Sequence, residues 1–238
     1  MNFKKFFILF LLVANIIFAL EISPLMYEQR IDTDGGYREF VIKNSGDKTL
    51  RYKVSIYPGI SHRDMSKWME VSPKILNIKP GTEGVLKVYA KAPNGIEPGE
   101  YSFVLSLKMV DLPKLPGDIK TVEPVAKINF DFRLEYLGYA GNLSPDINLI
   151  NPKLKENSDG TVNFSTKLKN NTEKRGIFYG VEIIGRQGLI HRIENRLSKK
   201  SETDISVNLD KSIKKSDITG VILRNYEDNK ELQSLKLN

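Results

Sequence analysis

Two histidines and no cysteine are the whole of the sequence's strong metal-binding and nucleophilic chemistry. His62 lies in "SHRDMSKW", between Ser61 and Asp64. Serine, histidine and aspartate are the residue types of nucleophilic hydrolysis, but residues this close in sequence rarely turn toward one another as that chemistry requires. The stretch therefore reads as a polar loop. His191 stands beside Arg192 on an alternating run and reads as a strand residue facing solvent. No cluster with metal-ligand spacing exists. "DTDGG" opens like a calcium loop, yet the twelfth position counted from Asp32 is Lys43, where that loop needs a bidentate Glu. A β-hairpin turn, with Asp-Gly supplying the positive φ, is the expectation. "KPGTEG" and "PNGIEPGE" lack the Gly-Lys-Ser/Thr that closes a phosphate loop and also read as turns. These residues imply neither an enzyme nor a chain that holds a cofactor or metal.

The chemistry that remains is recognition by backbone and apolar side chains. In "VAKINFDFRLEYLG", Ile128, Phe130, Phe132 and Leu134 alternate with Asn129, Asp131, Arg133 and Glu135. That is a strand, apolar on one face and polar on the other. Alternation alone does not separate a strand filling its own core from one whose apolar face serves another protein. Two features of the context favour the second. A long connection rich in Pro and Gly, "DLPKLPGDIKTVEP", feeds the strand. A long apolar edge is also an aggregation hazard that proteins suppress unless it has a use.

The elements that position this strand are strands themselves. "YREFVIKN" ends in the turn "NSGD", and "LRYKVSIYP" alternates and ends in Pro-Gly. "WMEVSPKILNIKPGTEGVLKVYAKAP" holds two or three short strands, and "GEYSFVLSLKMV" is another. About seven short strands with regular turn signals predict an immunoglobulin-like sandwich over residues 20–137. "LGYAGNLSPD", residues 137–146, reads as a hinge. Beyond it "TVNFSTKLKN" places Val162, Phe164, Thr166 and Leu168 on one face. "IFYGVEIIG" and "GLIHRIEN" pair across "GRQG", and "TDISVNLD" alternates Ile205, Val207 and Leu209. A last hairpin turns at "EDNK". Residues 138–238 are thus expected to form a second β-sandwich domain. The fold class is all-β, two immunoglobulin-like sandwiches.

Residues 1–19 read as a cleaved signal peptide. Lys4 and Lys5 precede the apolar run "FFILFLLVANIIFAL", and Ala19 is the expected last residue removed. A retained anchor is the competing reading, but the run is shorter than the ~20 residues of a spanning helix. The location implied is the periplasm or an equivalent envelope space, with no membrane span after cleavage. The formal net charge is +7, two units of which belong to Lys4 and Lys5. The rest is spread along the chain, without the basic patch and interleaved aromatics of a nucleic-acid binder.

Several of these stretches together resemble a known family. "EISPLMYEQRIDTDGGYREFVIKNSGDKTLRYKVSIYP", "VSPKILNIKPG", "GEYSFVLSL" and the long connection before a last alternating strand are similar to the first domain of the PapD-like periplasmic chaperones of the chaperone–usher route. The resemblance covers the first domain and scarcely reaches the second. It implies pilus assembly by donor-strand complementation. The last strand of the first domain, here residues 128–134 with Ile128, Phe130, Phe132 and Leu134, is lent to the incomplete fold of a fibre subunit. It implies secreted Ig-like pilin subunits as partners, with an outer-membrane usher as a further one. It also implies two basic residues that hold the subunit's terminal carboxylate. Arg133 matches the place on the last strand, with Lys127 a second choice there; Arg30 is the only basic residue on the first strand and falls later than the family pattern has it. Arg133 departs from the usual Lys, and no proline follows Leu137. A secreted envelope binding or adhesion module with no assembly role is the alternative.

Overall fold

The computed structural model describes residues 20–110 and 130–237. Among them the chain is all-β, with seventeen strands and two single-turn 3-10 segments, as the alternation predicts. By internal contacts it divides into two compact units. The first takes the residues up to Tyr27 with Gly35–Lys91 and Ser102–Tyr136; the second takes Glu28–Asp34, Ala92–Tyr101 and Leu137–Asn238.

In chain order the first ten strands are β1 (Leu20–Ser23), β2 (Glu28–Arg30), β3 (Gly36–Asn44), β4 (Leu50–Pro58), β5 (Arg63–Asp64), β6 (Met69–Ser72), β7 (Ile75–Ile78), β8 (Glu83–Ala90), β9 (Gly99–Met109) and β10 (Asp131–Ala140). The first unit is a sandwich. One sheet runs β1-β3-β8-β6; the other runs from the first part of β10 through β9 and β4 to β7, with β5 beside β9. Period-two alternation sends Phe40 and Ile42 of β3, Leu86 and Val88 of β8, and Phe103, Leu105 and Leu107 of β9 into the core, all at most 1% exposed. Aromatic rings pack its centre. Tyr27 meets Phe103 edge-on at 5.4 Å, and Tyr136 lies 5.0 Å from Phe40 and 5.7 Å from Phe103. The "NSGD" turn is fastened by buried Asn44, whose amide donates to the Lys48 and Ile78 carbonyls and whose Oδ1 accepts from the Gly46 N–H.

The remaining strands are β11 (Ile147–Glu156), β12 (Val162–Asn170), β13 (Ile177–Gly185), β14 (Gly188–Leu197), β15 (Ser201–Asn208), β16 (Ile218–Asn225) and β17 (Glu231–Lys236). They form the sheets β11-β12-β15 and β14-β13-β16-β17. The core holds Val162, Phe164 and Leu168 from one sheet, and Tyr179, Val181, Ile183, Val221 and Leu223 from the other. Thr166, on the same β12 face, is buried too. Both expected hairpins are present, with Gly188 at φ +115° closing the first and Asn229 at φ +55° the second. Buried Asn170 repeats the Asn44 device, donating to the Arg175 and Ser198 carbonyls.

Two local expectations change. "DTDGG" is a turn with Gly35 at φ +91°, but β2 and β3 do not pair, so it is no hairpin. β2 instead pairs in parallel with the end of β10, matching Leu137 to Glu28 and Tyr139 to Arg30. For the same reason the strand does not stop at the expected hinge. It continues through Gly138 to Ala140, because β2 supplies hydrogen-bond partners there.

Candidate functional site: an open strand edge

β10 has two kinds of neighbour. β9 lies along one side, where the Phe130 carbonyl accepts from the Met109 N–H at 2.8 Å. On the other side β2 pairs only with Leu137, Gly138 and Tyr139, and the Tyr139 carbonyl accepts from the Ile31 N–H at 2.9 Å. Among the described residues no strand covers that side of Asp131–Tyr136. Along a strand, successive residues present their N–H and C=O to opposite sides. Phe130 faces β9 and Tyr139 faces β2, so the even-numbered residues serve β9. The main-chain groups of Asp131, Arg133 and Glu135 point to the uncovered side.

The side chains divide the same way by face. Tyr136 is 4% exposed and sits in the aromatic core. Leu134, Phe132 and Phe130, on the same face, are only half-buried, and the two phenyl rings stack at 5.8 Å. The apolar face thus continues past the end of the unit's own core. Tyr136 itself carries a hydroxyl with no hydrogen-bond partner among the described residues, and burial pushes its pKa upward.

The polar face is already engaged. The Arg133 guanidinium sits 3.0 Å from Asp131 and over the Tyr57 ring at 5.3 Å. Asp131 also accepts from Ser106 Oγ at 2.6 Å. The Ser106 hydrogen bond first, then Arg133, holds its carboxyl below the usual range. Glu135 accepts from the Ile60 and Ser61 N–H groups, both at 2.7 Å, and from Ser61 Oγ at 3.0 Å. Burial pushes this carboxyl up, but the hydrogen bonds outweigh burial and leave it lowered. Contrary to the expectation for sequence neighbours, Ser61 Oγ and His62 Nδ1 do meet, at 2.7 Å. Their setting is an exposed loop tied to Glu135. Asp64 takes the Gly59 and Ser66 N–H groups and Ser66 Oγ.

Arg30 belongs to the second unit, where it pairs with Asp32 at 2.8 Å. The Arg30 hydrogen bond holds the Asp32 carboxyl down. Arg30 and Arg175 both line a 220 Å³ cleft of this unit with Tyr139, Asn142, Ser144 and Glu227. Behind it lies a buried ionic cluster with no forewarning in the sequence. Arg175 stacks on Tyr139 at 3.5 Å and reaches Glu227 at 2.8 Å and Glu28 at 3.6 Å. Arg196 pairs with Glu100 and lies 3.9 Å from Glu28. Glu28 accepts from the Phe178 N–H at 2.9 Å, and Glu100 from the Gly176 N–H at 2.9 Å. Burial raises the Glu28 pKa against the opposing pull of Arg175. Scattered Glu and Arg at strand ends carry no pattern in one dimension, so sequence reasoning passed over all five.

Of the residues singled out from sequence, Phe130, Phe132, Leu134, Arg133 and Arg30 are thus placed. Ile128, Lys127 and the signal segment 1–19 lie outside the described residues. Among the described residues no group of three or more His, Cys, Asp or Glu could hold a metal, and no helix is long and apolar enough to cross a membrane.

Neither a family model nor a curated protein matches the chain. Solved structures similar to it include the chaperone DraB of E. coli, at 7% identity and TM-score 0.45, covering 93% of this chain and 96% of that one. Another is a chain from the complex of the Salmonella enterica SafA pilin with the SafB chaperone, at 10% identity and TM-score 0.44, covering 92% and 96%. A third is from the CsuC–CsuE chaperone–tip subunit pre-assembly complex of Acinetobacter baumannii, at 13% identity and TM-score 0.40, covering 92% and 97%. These are weak likenesses in both sequence and superposition.

Proposed function

We propose that this chain is a periplasmic chaperone for surface-fibre subunits and that it lends the β10 edge to their incomplete Ig-like fold. The observation that carries the reading is that among the described residues no strand covers one side of Asp131–Tyr136, beside a half-buried apolar face, Phe130, Phe132 and Leu134. Main-chain groups of such an edge give affinity, and alternate side chains entering a partner's groove give specificity. The sequence resemblance of the first domain supports the same role. Ile128 would extend the apolar row. Arg133, Arg30 and, as second choice, Lys127 are the proposed carboxylate anchors. Arg133 and Arg30 each already hold an aspartate two residues away, so capture exchanges one carboxylate for another. Such charge-assisted bonds are the stronger kind. The usher is a proposed further partner.

The test is co-expression with secreted β-rich subunits encoded beside this chain, followed by co-purification. Completing the burial of two phenyl rings contributes up to roughly 1.5–3 kcal/mol each. Phe130→Ser with Phe132→Ser should therefore weaken capture by at least about tenfold, since ~1.4 kcal/mol is a factor of ten. Arg133→Ala should lower recovery more than Lys153→Ala in the second unit. A double variant that stays folded and still recovers the subunit overturns the reading and leaves the adhesion module in its place.

A further inference from the structure

The side of β10 that no other described strand covers has a defined end. β2 occupies that side from Leu137 onward, and it is only three residues long. Three residues of parallel pairing, extended by the hydrogen bond from the Ile31 N–H to the Tyr139 carbonyl, are a small hold for an element flanked by irregular chain. The Glu28 side chain adds a second hold. It is 6% exposed, accepts from the Phe178 N–H at 2.9 Å on β13, and lies 3.6 Å and 3.9 Å from Arg175 and Arg196. Each of those guanidiniums has another carboxylate, Glu227 for Arg175 and Glu100 for Arg196. Glu28 is therefore not needed to balance them.

We propose that β2 is a stop that ends the lendable edge at Tyr136, and that Glu28 is the positioning residue that clasps the stop in place. The proposal rests on the lending of β10 set out above and gives it a register. A subunit strand can use the main-chain groups of Asp131, Arg133 and Glu135. It cannot use those of Leu137 and Tyr139, which β2 has taken. Three residues of donor strand meet the subunit through hydrogen bonds on this side, and a strand slipped by two residues toward Tyr139 collides with β2. The partner is an extended segment of a secreted β-rich subunit, held in one register by a physical barrier as well as by its side chains.

The first arm of the test needs no partner. Amide hydrogen exchange on the full chain should show fast exchange at Asp131, Arg133 and Glu135 and slow exchange at Leu137 and Tyr139. Glu28→Ala should speed Leu137 and Tyr139 by roughly tenfold or more while Val181 in β13 stays protected, since local opening is separable from global unfolding. Glu28→Gln keeps an acceptor for the Phe178 N–H and should restore most of the protection, which a loss through general destabilisation would not show. Should Glu28→Ala fail to fold, Gln29→Pro decides. Gln29 faces β10 between Leu137 and Tyr139, and proline removes its N–H without touching the ionic cluster. Unchanged slow exchange at Leu137 and Tyr139 in a folded Glu28→Ala overturns the clasp, and the same result in Gln29→Pro overturns the stop. The second arm repeats exchange with a co-purified subunit bound. Protection should be gained at Asp131, Arg133 and Glu135, and should reach Leu137 from the subunit only when β2 has been released. A subunit that protects residue 137 or 139 directly in the wild type overturns the stop while the lending stands. Failure to capture any subunit counts against the lending itself, and the first arm then still decides whether β2 is clasped.

Discussion

The two halves of β10 obey the same alternation and end in opposite circumstances. In the second half Tyr136, Gly138 and Ala140 are buried, and β2 takes up the main chain of Leu137 and Tyr139. In the first half Phe130, Phe132 and Leu134 are half-buried, and the main chain of Asp131, Arg133 and Glu135 has no strand beside it among the described residues. Tyr136 is buried by packing of its face on Phe40 and Phe103 although no described strand pairs with it on that side, so face burial and edge pairing are set by different neighbours and not by the pattern of the strand alone. A sequence window sees only the pattern. Among the described residues the first half has no strand on that side, and the second half shows the same alternation with β2 paired to it.

The largest expected contrast is in stability. Tyr136→Ala removes a ring packed against Phe40 and Phe103 at 4% exposure. Large-to-small changes of a buried aromatic cost about 3–5 kcal/mol. Phe132→Ala, on the same face but half-exposed, should cost about 1 kcal/mol, since only part of its area leaves water on folding. Denaturant midpoints of the two variants measure the difference. Equal losses would mean that Phe132 belongs to the unit's own core and would count against the lending of this face.

A smaller effect concerns Glu135, whose carboxylate gathers the Ile60 and Ser61 N–H groups and Ser61 Oγ. Ile60 is 83% exposed at the tip of the loop so held. Glu135→Ala should speed amide exchange at Ile60 and Ser61 without altering exchange at Leu105 or Leu107 in the core. Glu135→Gln, which keeps one acceptor, should lie between. No change at Ile60 would show that the loop is held by its other contacts, such as the His62 N–H bond to Ser102 Oγ.

Much of this architecture was legible because strands announce themselves by period two. Val162, Phe164, Thr166 and Leu168 were placed on one face by spacing, and all four are buried. The turns at "GRQG" and "EDNK" were legible from their glycine and asparagine. β11 carries no clear strand signal, because "INLINPKLKE" mixes Asn, Pro and Lys into its alternation and is interrupted by an irregularity between Ile150 and Lys153. The parallel docking of β2 was also invisible. Glu28, Gln29 and Arg30 belong to the opening strand of the resemblance, but their polar side chains give no sign of a parallel partner, and only the three-dimensional partners Phe178, Arg175 and Arg196 explain why a Glu is buried there. The apolar face of the candidate site could be read in one dimension, whereas the end of its open edge could not, since it depends on residues more than one hundred positions away.

The smallest contrast is in pH dependence, and it has opposite signs at the two ends of β10. In the first half Asp131 is held below its ordinary value of 3.8 by Ser106 and Arg133. A lowered carboxyl contributes stability that is present above the unfolded value and lost as pH falls through the folded one. Asp131→Asn should therefore be destabilising at neutral pH and lose its penalty in acid. Beside the second half, Glu28 is raised above its ordinary value of 4.5 by burial, against Arg175. A raised carboxyl contributes most below the unfolded value, and that contribution is lost as pH rises through the folded one. Glu28→Gln does not titrate, so its melting temperature relative to the wild type should climb as pH rises through that window. Melting curves of both variants and the wild type between about pH 3 and 8 should give differences of opposite slope. Asp131 is partly open to solvent, so screening keeps its effect small. Parallel slopes would mean that Glu28 is held as a charge by Arg175 and Arg196 more strongly than burial opposes it. The clasp on β2 would then be ionic, and Glu28→Gln would release Leu137 and Tyr139 as fully as Glu28→Ala does.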